Sequence, residues 1–283
     1  MNDELRELAS LMGGAGPHEA EQLLAHVLGV SRARLLTRPP EPTAVQREQA
    51  RALARRRGTG EPLQYILGWV PFLSARVHVG PGVLIPRPET ELLTITALQA
   101  WQELDSPLPH TAIDVGTGSG CIALGLALAE PCLRVIALES SESALDWARR
   151  NIEANAAGAV VELYRSDLFS GLESLRFPER GASLIVSNPP YVTAGEWPGL
   201  SRDVREHEPR EALVAGPTGF EVLERILDQA PRWLSAPGLL ALEISPELAG
   251  RALSKAEAGG AFRRAEVRPD LAGRARMLFA WRK

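Results

Sequence analysis

Cysteine is nearly absent from this 283-residue chain. Only Cys121 and Cys132 occur, which argues against a disulfide framework and makes both small buried packing residues. Histidine is sparse as well: His18, His26, His78, His110 and His207 are scattered, with no pair at the short spacing of a zinc site, so no metal is expected. No apolar run is long enough to span a bilayer, and Met1-Asn2-Asp3-Glu4-Leu5-Arg6 lacks the charged and apolar regions of a secretory signal. A cytoplasmic protein with no membrane partner is the expectation. An excess of charge of one sign is missing too. The net charge is −4 and the pI is near 5.8, which gives no global drive toward nucleic acid.

What the chain does have is the tetrapeptide Asn188-Pro189-Pro190-Tyr191, placed directly after the apolar run Leu184-Ile185-Val186-Ser187. That run reads as a buried strand stopped by two prolines. Proline fixes its own φ and disfavours the α region for the residue before it, so Asn188 and Pro189 are predicted to be extended. Two acceptors result, the Asn188 side-chain oxygen and the Pro189 carbonyl. Together they can take both hydrogens of a planar –NH2 group and aim its nitrogen at an electrophile, while Tyr191 offers a ring to stack on. The simpler reading is a proline turn with a buried tyrosine.

A second motif favours the chemical reading. Thr111-Ala112-Ile113-Asp114-Val115 is predicted as a buried strand, followed by Gly116-Thr117-Gly118-Ser119-Gly120 and a helical pattern through Ile122, Leu124, Leu126 and Leu128. Strand, glycine turn and helix N-terminus are the order a nucleotide-type ligand needs. Nineteen residues beyond Gly120, a second predicted strand ends at Glu139, where a carboxylate can accept from ribose hydroxyls. The same spacing would suit a nicotinamide dinucleotide. Against that, the glycines run Gly-x-Gly-x-Gly, and Asp114 would repel a pyrophosphate but suits the cationic amino acid end of S-adenosylmethionine (SAM).

The rest of the chain frames these motifs. Residues 1 to about 58 show helical periodicity only, interrupted by Pro39-Pro40-Glu41-Pro42. Arg32, Arg34, Arg38, Arg47, Arg51, Arg55, Arg56 and Arg57 crowd the later part of that segment, either as a solvated face or as a basic dock for an acidic partner or RNA. Alternation from Tyr65 to Ile85 predicts a β-hairpin. Beyond it, strands and helices alternate, which implies an α/β fold with a parallel sheet and helices on both faces. In such sheets ligands sit beyond the strand C-termini.

With these motifs in place, the chain resembles the class I SAM-dependent methyltransferases with an Asn-Pro-Pro-Tyr signature, and more closely the release-factor glutamine methyltransferase family (PrmC/HemK). The resemblance runs over nearly the whole length. It rests also on Gly60-Glu61-Pro62-Leu63-Gln64-Tyr65-Ile66-Leu67-Gly68, on Ile85-Pro86-Arg87-Pro88-Glu89-Thr90-Glu91 and on Glu208-Pro209-Arg210-Glu211-Ala212-Leu213. It implies a seven-stranded Rossmann-like domain over residues 87–283, with the last strand inserted antiparallel. Ahead of it come a helical substrate-recognition domain (1–62) and a β-hairpin linker (63–86). The implied cofactor residues are Asp114, Gly116, Thr117, Gly118, Ser119, Gly120, Glu139, Asp167, Leu168 and Asn188, with Asp167 accepting from the adenine amino group and Leu168 bounding the ring. The implied substrate residues are Asn188, Pro189, Pro190 and Tyr191, with Arg87 and Glu89 closing over the site, although both also suit a helix start. Asn188, Pro189 and Tyr191 would carry the catalysis.

The implied reaction is methyl transfer from SAM to a glutamine side-chain nitrogen in the Gly-Gly-Gln motif of class 1 peptide-chain release factors, by a monomer, leaving S-adenosylhomocysteine (SAH). Two alternatives stay open: methylation of an exocyclic amine in DNA or RNA, and a non-catalytic SAM- or dinucleotide-binding regulator. Two departures from the family pattern are present: Glu139 where Asp is commoner, and Ile244-Ser245-Pro246-Glu247 where glycine and glutamine are usual.

Overall fold

A computed structural model describes residues 2–14, 16–104 and 110–282. The chain divides into two compact units, residues 1–69 with 201–207, and residues 70–200 with 208–283.

The first unit is helical: α1 (Asn2–Leu11), α2 (Pro17–Leu28), α3 (Arg32–Thr37), α4 (Ala44–Gly58) and α5 (Leu63–Leu67). Local chemistry sets the ends. Pro17 opens α2 and Gly29, in the left-handed region, closes it. Thr43 and Gln46 form a reciprocal capping box at the start of α4. Leu8, Met12, Leu23, Leu24, Leu35, Ala50, Ala54 and Leu63 supply the core. The arginines are largely tied down: Arg51 pairs with Glu7, Arg57 with Glu19, Arg56 with Glu61 and Arg32 with Glu21. The cluster is therefore a laced helix face more than a bare basic one.

The hairpin is shorter than predicted. Leu63–Leu67 is helical, and only β1 (Trp69–Phe72) and β2 (Ala75–His78) pair. Its period-2 alternation does not extend over Gly80-Pro81-Gly82 and Pro86, which break the ladder.

In the second unit come α6 (Pro88–Gln102), β3 (Thr111–Val115), α7 (Cys121–Ala129), β4 (Arg134–Glu139), α8 (Glu142–Ala154), β5 (Val161–Arg165), α9 (Ser170–Ser174), β6 (Ala182–Ser187) and β7 (Val192–Thr193). They are followed, after α10 (Arg202–His207) of the first unit, by β8 (Val214–Gly216), α11 (Glu221–Trp233), β9 (Leu234–Glu243), α12 (Ala249–Ala258), β10 (Phe262–Pro269) and β11 (Ala275–Arg282). Seven strands form the central sheet in the order β10-β11-β9-β6-β3-β4-β5. The last strand is inserted antiparallel between β9 and β10, as expected, and the pairs from β9 to β5 are parallel. Every residue of β3 and β6 is buried, which is why apolar residues dominate both, with Asp114 the one charged exception. Ile113, Val115, Ile136, Leu138, Ile185, Leu240 and Leu242 share one core with α11 and α12. Alternation turns Asp114 to the opposite face, toward α7. Cys121 is buried there, whereas Cys132 is exposed, contrary to expectation, in the turn before β4. Among the described residues no helix is long and apolar enough to cross a membrane.

Candidate active site

The C-terminal ends of β3, β4 and β6 meet at a cavity of ≈ 210 Å³. Its wall includes Gly116, Gly118, Glu139, Asp167, Leu168, Asn188 and Pro190, so the two sequence motifs do converge. A Cβ built on Gly116 or Gly118 meets nothing within 4 Å, and both residues have positive φ, 70° and 57°. Glycine is required here by backbone conformation and leaves open space for a ligand.

The turn is closed by its own carboxylates. Asp114 Oδ2 accepts from Thr117 Oγ1 at 2.5 Å and from the Ala123 N–H at 3.0 Å. Oδ1 is buried without a partner, and burial pushes the Asp114 carboxyl up to about 7. Asp114 thus sits behind the turn and not on the cavity wall. Glu139 does line the cavity. It accepts from the N–H groups of Gly118 (2.9 Å), Ser140 (2.8 Å) and Ser141 (2.9 Å), which fixes its position and leaves acceptor capacity for hydroxyls. The N–H groups of Gly116 and Thr117 donate to Leu138 O, and that of Gly120 to Thr117 O. Four donors that could hold a pyrophosphate are therefore spent, two carboxylates stand beside them, and a dinucleotide fits poorly.

Thr117 and Ser119 are buried in the turn. The Ser119 carbonyl accepts from Asn151 Nδ2, whose amide also brackets His78, so α8 joins the turn to the hairpin. At the far wall Leu168 is held at φ 49°, with its carbonyl accepting from Ser166 Oγ at 2.6 Å. A non-glycine residue held there is a strained position at a binding wall. The neighbouring Asp167 Oδ2 accepts from Arg225 at 2.7 Å.

Asn188 is set differently. Its Nδ2 donates to Thr90 Oγ1 at 2.9 Å, and Thr90 in turn donates to Glu243 Oε2 at 2.7 Å. Tyr191 Oη donates to the other Glu243 oxygen at 3.4 Å. Burial raises the Glu243 carboxyl, and burial beside Glu243 pushes the Tyr191 phenol up to about 12, so it stays a donor. No donor among the described residues reaches Asn188 Oδ1 or the Pro189 carbonyl. Tyr191 lines a second, wider cavity of ≈ 640 Å³ with Thr193, Pro246, Arg274 and Arg276. The tetrapeptide thus borders both cavities, with Asn188 and Pro190 on the first and Tyr191 on the second, while Pro189 lines neither.

Arg87 and Glu89 line neither cavity. Arg87 donates to buried Glu208 at 2.6 Å, whose other oxygen accepts from the Ile85 N–H, and Glu89 faces Arg274 on the surface. Their neighbour Thr90 is the residue of that block which touches the loop. Sequence reasoning missed Thr90, Glu243 and Asn151; a lone acid in the apolar run Leu239–Ile244 was the available signal for Glu243.

Two family models match the chain, the PrmC N-terminal domain over residues 6–68 and the methyltransferase small domain over residues 96–199. The release factor glutamine methyltransferase of Rhodopirellula baltica is 41% identical over 263 residues, covering 92% of this chain and 87% of that protein. The chain belongs to the release factor glutamine methyltransferase family. The Chlorobaculum tepidum member is 41% identical over 256 residues, 89% of this chain and 85% of that protein. The fold extends beyond the family. The catalytic domain of hMettl16, solved with a MAT2A 3′UTR hairpin, aligns at TM-score 0.56 and 17% identity over 82% of this chain and 81% of that one. The N-terminal domain of human METTL16 in complex with SAH aligns at TM-score 0.53 and 17% identity, over 74% and 75%. At that identity the likeness concerns the fold alone. It places this family member among class I methyltransferase folds.

Proposed function

We propose that this protein methylates the side-chain nitrogen (N5) of the glutamine in the Gly-Gly-Gln loop of class 1 peptide-chain release factors, using SAM and leaving SAH. The observation that carries the reading is the Asn188 amide. Its nitrogen is tied to Thr90, which leaves its oxygen to accept from an incoming –NH2; the adjacent Pro189 carbonyl is assigned as the second acceptor.

The cavity fits a nucleoside bearing an amino acid tail. Glu139 accepts from vicinal hydroxyls, Asp167 from an exocyclic amine, and Leu168 gives apolar contact to the ring. Open space over Gly116 and Gly118 admits close approach. Asp114 keeps the turn in shape from behind. When bound, SAM supplies a methyl group on a positively charged sulfur, already activated for displacement. The chain's own task is orientation. Asn188 Oδ1 and the Pro189 carbonyl hold both amide hydrogens, which turns the nitrogen's π face toward the methyl group. Alignment of this kind is worth roughly 7–11 kcal/mol of barrier. The two hydrogen bonds strengthen as the nitrogen gains positive charge, so they favour the transition state over the bound substrate. The methylated nitrogen is acidic, and its proton leaves without a strong base. The helical unit is assigned to docking the release factor, and the enzyme to acting as a monomer without a metal.

The test is transfer of label from SAM to purified release factor, to its Gln→Ala loop variant, and to duplex and structured nucleic acids. Label on the intact factor alone is the expected result. Label on nucleic acid alone, or on the variant as strongly as on the intact factor, would overturn the assignment.

A further inference from the structure

We infer that Glu243 and Thr90 act as positioning residues, setting which end of the Asn188 amide faces the methyl acceptor. This rests on the proposed use of Asn188 as an acceptor. An asparagine amide is nearly symmetric in shape, and only its hydrogen bonds choose between its oxygen and its nitrogen. With the nitrogen outward, Asn188 would present donors to a substrate –NH2 group that itself only donates, and the site would repel what it must hold.

The chain of bonds removes that choice. Both Glu243 oxygens accept, one from Thr90 Oγ1 and the other from Tyr191 Oη. Glu243, at 1% exposure, stands at the end of β9 and accepts from Thr90 Oγ1 at 2.7 Å. A hydroxyl has one hydrogen, so once Thr90 has given it to Glu243 its oxygen only accepts on the other side. Asn188 Nδ2, at 2.9 Å, fills that position. Reversing the chain would have Thr90 donate to Asn188 Oδ1 and leave the buried Glu243 Oε2 without the donor it has here, a costly loss for a buried polar atom. The same carboxylate receives Tyr191 Oη on its other oxygen, so both ends of the Asn188–Tyr191 loop report to one group. β9 lies beside β6 in parallel register, Leu242 opposite Ser187, which brings the carboxylate level with the loop.

Three variants test this: Thr90→Val, which has no hydroxyl; Thr90→Ser, which restores one; and Glu243→Gln, which can donate as well as accept. Thr90→Val is expected to lower kcat on the order of 100-fold, as for loss of an oriented polar contact to the reacting group. KM for the acceptor and SAH affinity should stay within about threefold, and Thr90→Ser should recover most of the rate. Glu243→Gln admits both orders of the chain and should cost about tenfold in kcat. Independently of activity, the Asn188 side-chain amide protons in NMR spectra should show a contact to Thr90 in wild type and a second amide environment in Glu243→Gln. Unchanged kcat in Thr90→Val, or equal losses of rate and SAH affinity in Thr90→Val and Thr90→Ser, would overturn the inference. If wild type labels no release factor, the proposed substrate is wrong, and the amide spectra alone decide whether Glu243 sets the orientation.

Discussion

β3 and β6 are neighbours in the sheet, with Asp114 opposite Val186 and Val115 opposite Ser187, yet their C-terminal ends are built in opposite ways. Beyond β3, the turn is closed mainly by residues close in sequence: Asp114 reaches Thr117 and Ala123, and Gly120 reaches Thr117. Beyond β6, Asn188 is held by Thr90, 98 residues away, which is held by Glu243, 153 residues from Thr90. The first end is a local structure that the sheet merely carries. The second exists only once three distant segments have packed. In the proposed reaction the first end would bind one ligand by backbone shape and the second would orient another by side-chain polarity, which calls for both kinds of construction.

The largest expected effect probes the local end. The Asp114 carboxyl, at about 7 in the folded chain, lies above its ordinary value of 3.8. The folded state therefore holds the proton more tightly than the unfolded state, and stability falls as pH rises from about 4 to about 7, then levels off. At ~1.4 kcal/mol per pH unit the loss is on the order of 4 kcal/mol. Asp114→Asn keeps an acceptor for Thr117 and Ala123 and should abolish that part of the decline, read from thermal melting of both proteins across the window. Parallel melting curves in the two proteins would mean that the carboxyl titrates normally.

Next comes the distant end. Asn188→Ala should lower kcat by ~10²–10³-fold, while SAH affinity by titration calorimetry changes little. If affinity falls as far as kcat, the two ends are not functionally separate, and the contrast between them fails. The smallest effect separates backbone shape from space at Gly118. Any L residue with a Cβ at φ 57° costs roughly 1–2 kcal/mol, and asparagine tolerates that region better than alanine. Gly118→Ala should weaken SAH binding about tenfold, and the larger Gly118→Asn by less. The reverse order would show that room for the ligand, not conformation, requires glycine there.

Much of the fold was legible because its signals are local. Buried parallel strands are continuous apolar runs, helices announce themselves by caps and period, and the glycine turn carries its own closing carboxylate. The hairpin was overextended since its alternation spans a five-residue helix and a proline-broken segment. Within the site, Gly116, Glu139, Asp167 and Asn188 were placed correctly at strand ends by sequence order alone. Arg87 and Glu89 drew attention through their charge, whereas the uncharged Thr90 between them and the helix interior makes the contact. Asp114 was read as a partner for the cationic end of the cofactor, and alternation along β3 points its carboxylate behind the turn, to Thr117 and Ala123. Nothing in local spacing reveals that an acid in an apolar strand will meet a threonine from α6.

By itself, then, the sequence determined the α/β class, the order of strands and helices, the conformation of the glycine turn and the placing of Asn188-Pro189 at the end of a buried strand. These depend on φ restrictions, side-chain period and hydrogen bonds within a few residues of each other. Only the tertiary structure decided that Glu139 is pre-held by three backbone N–H groups, that the loop borders two cavities, and which way the Asn188 amide faces. The physical reason is that a hydrogen bond's direction is set by what its partner can still donate or accept. For Asn188 that is fixed by a buried carboxylate on β9, which no neighbouring residue in the chain could foretell.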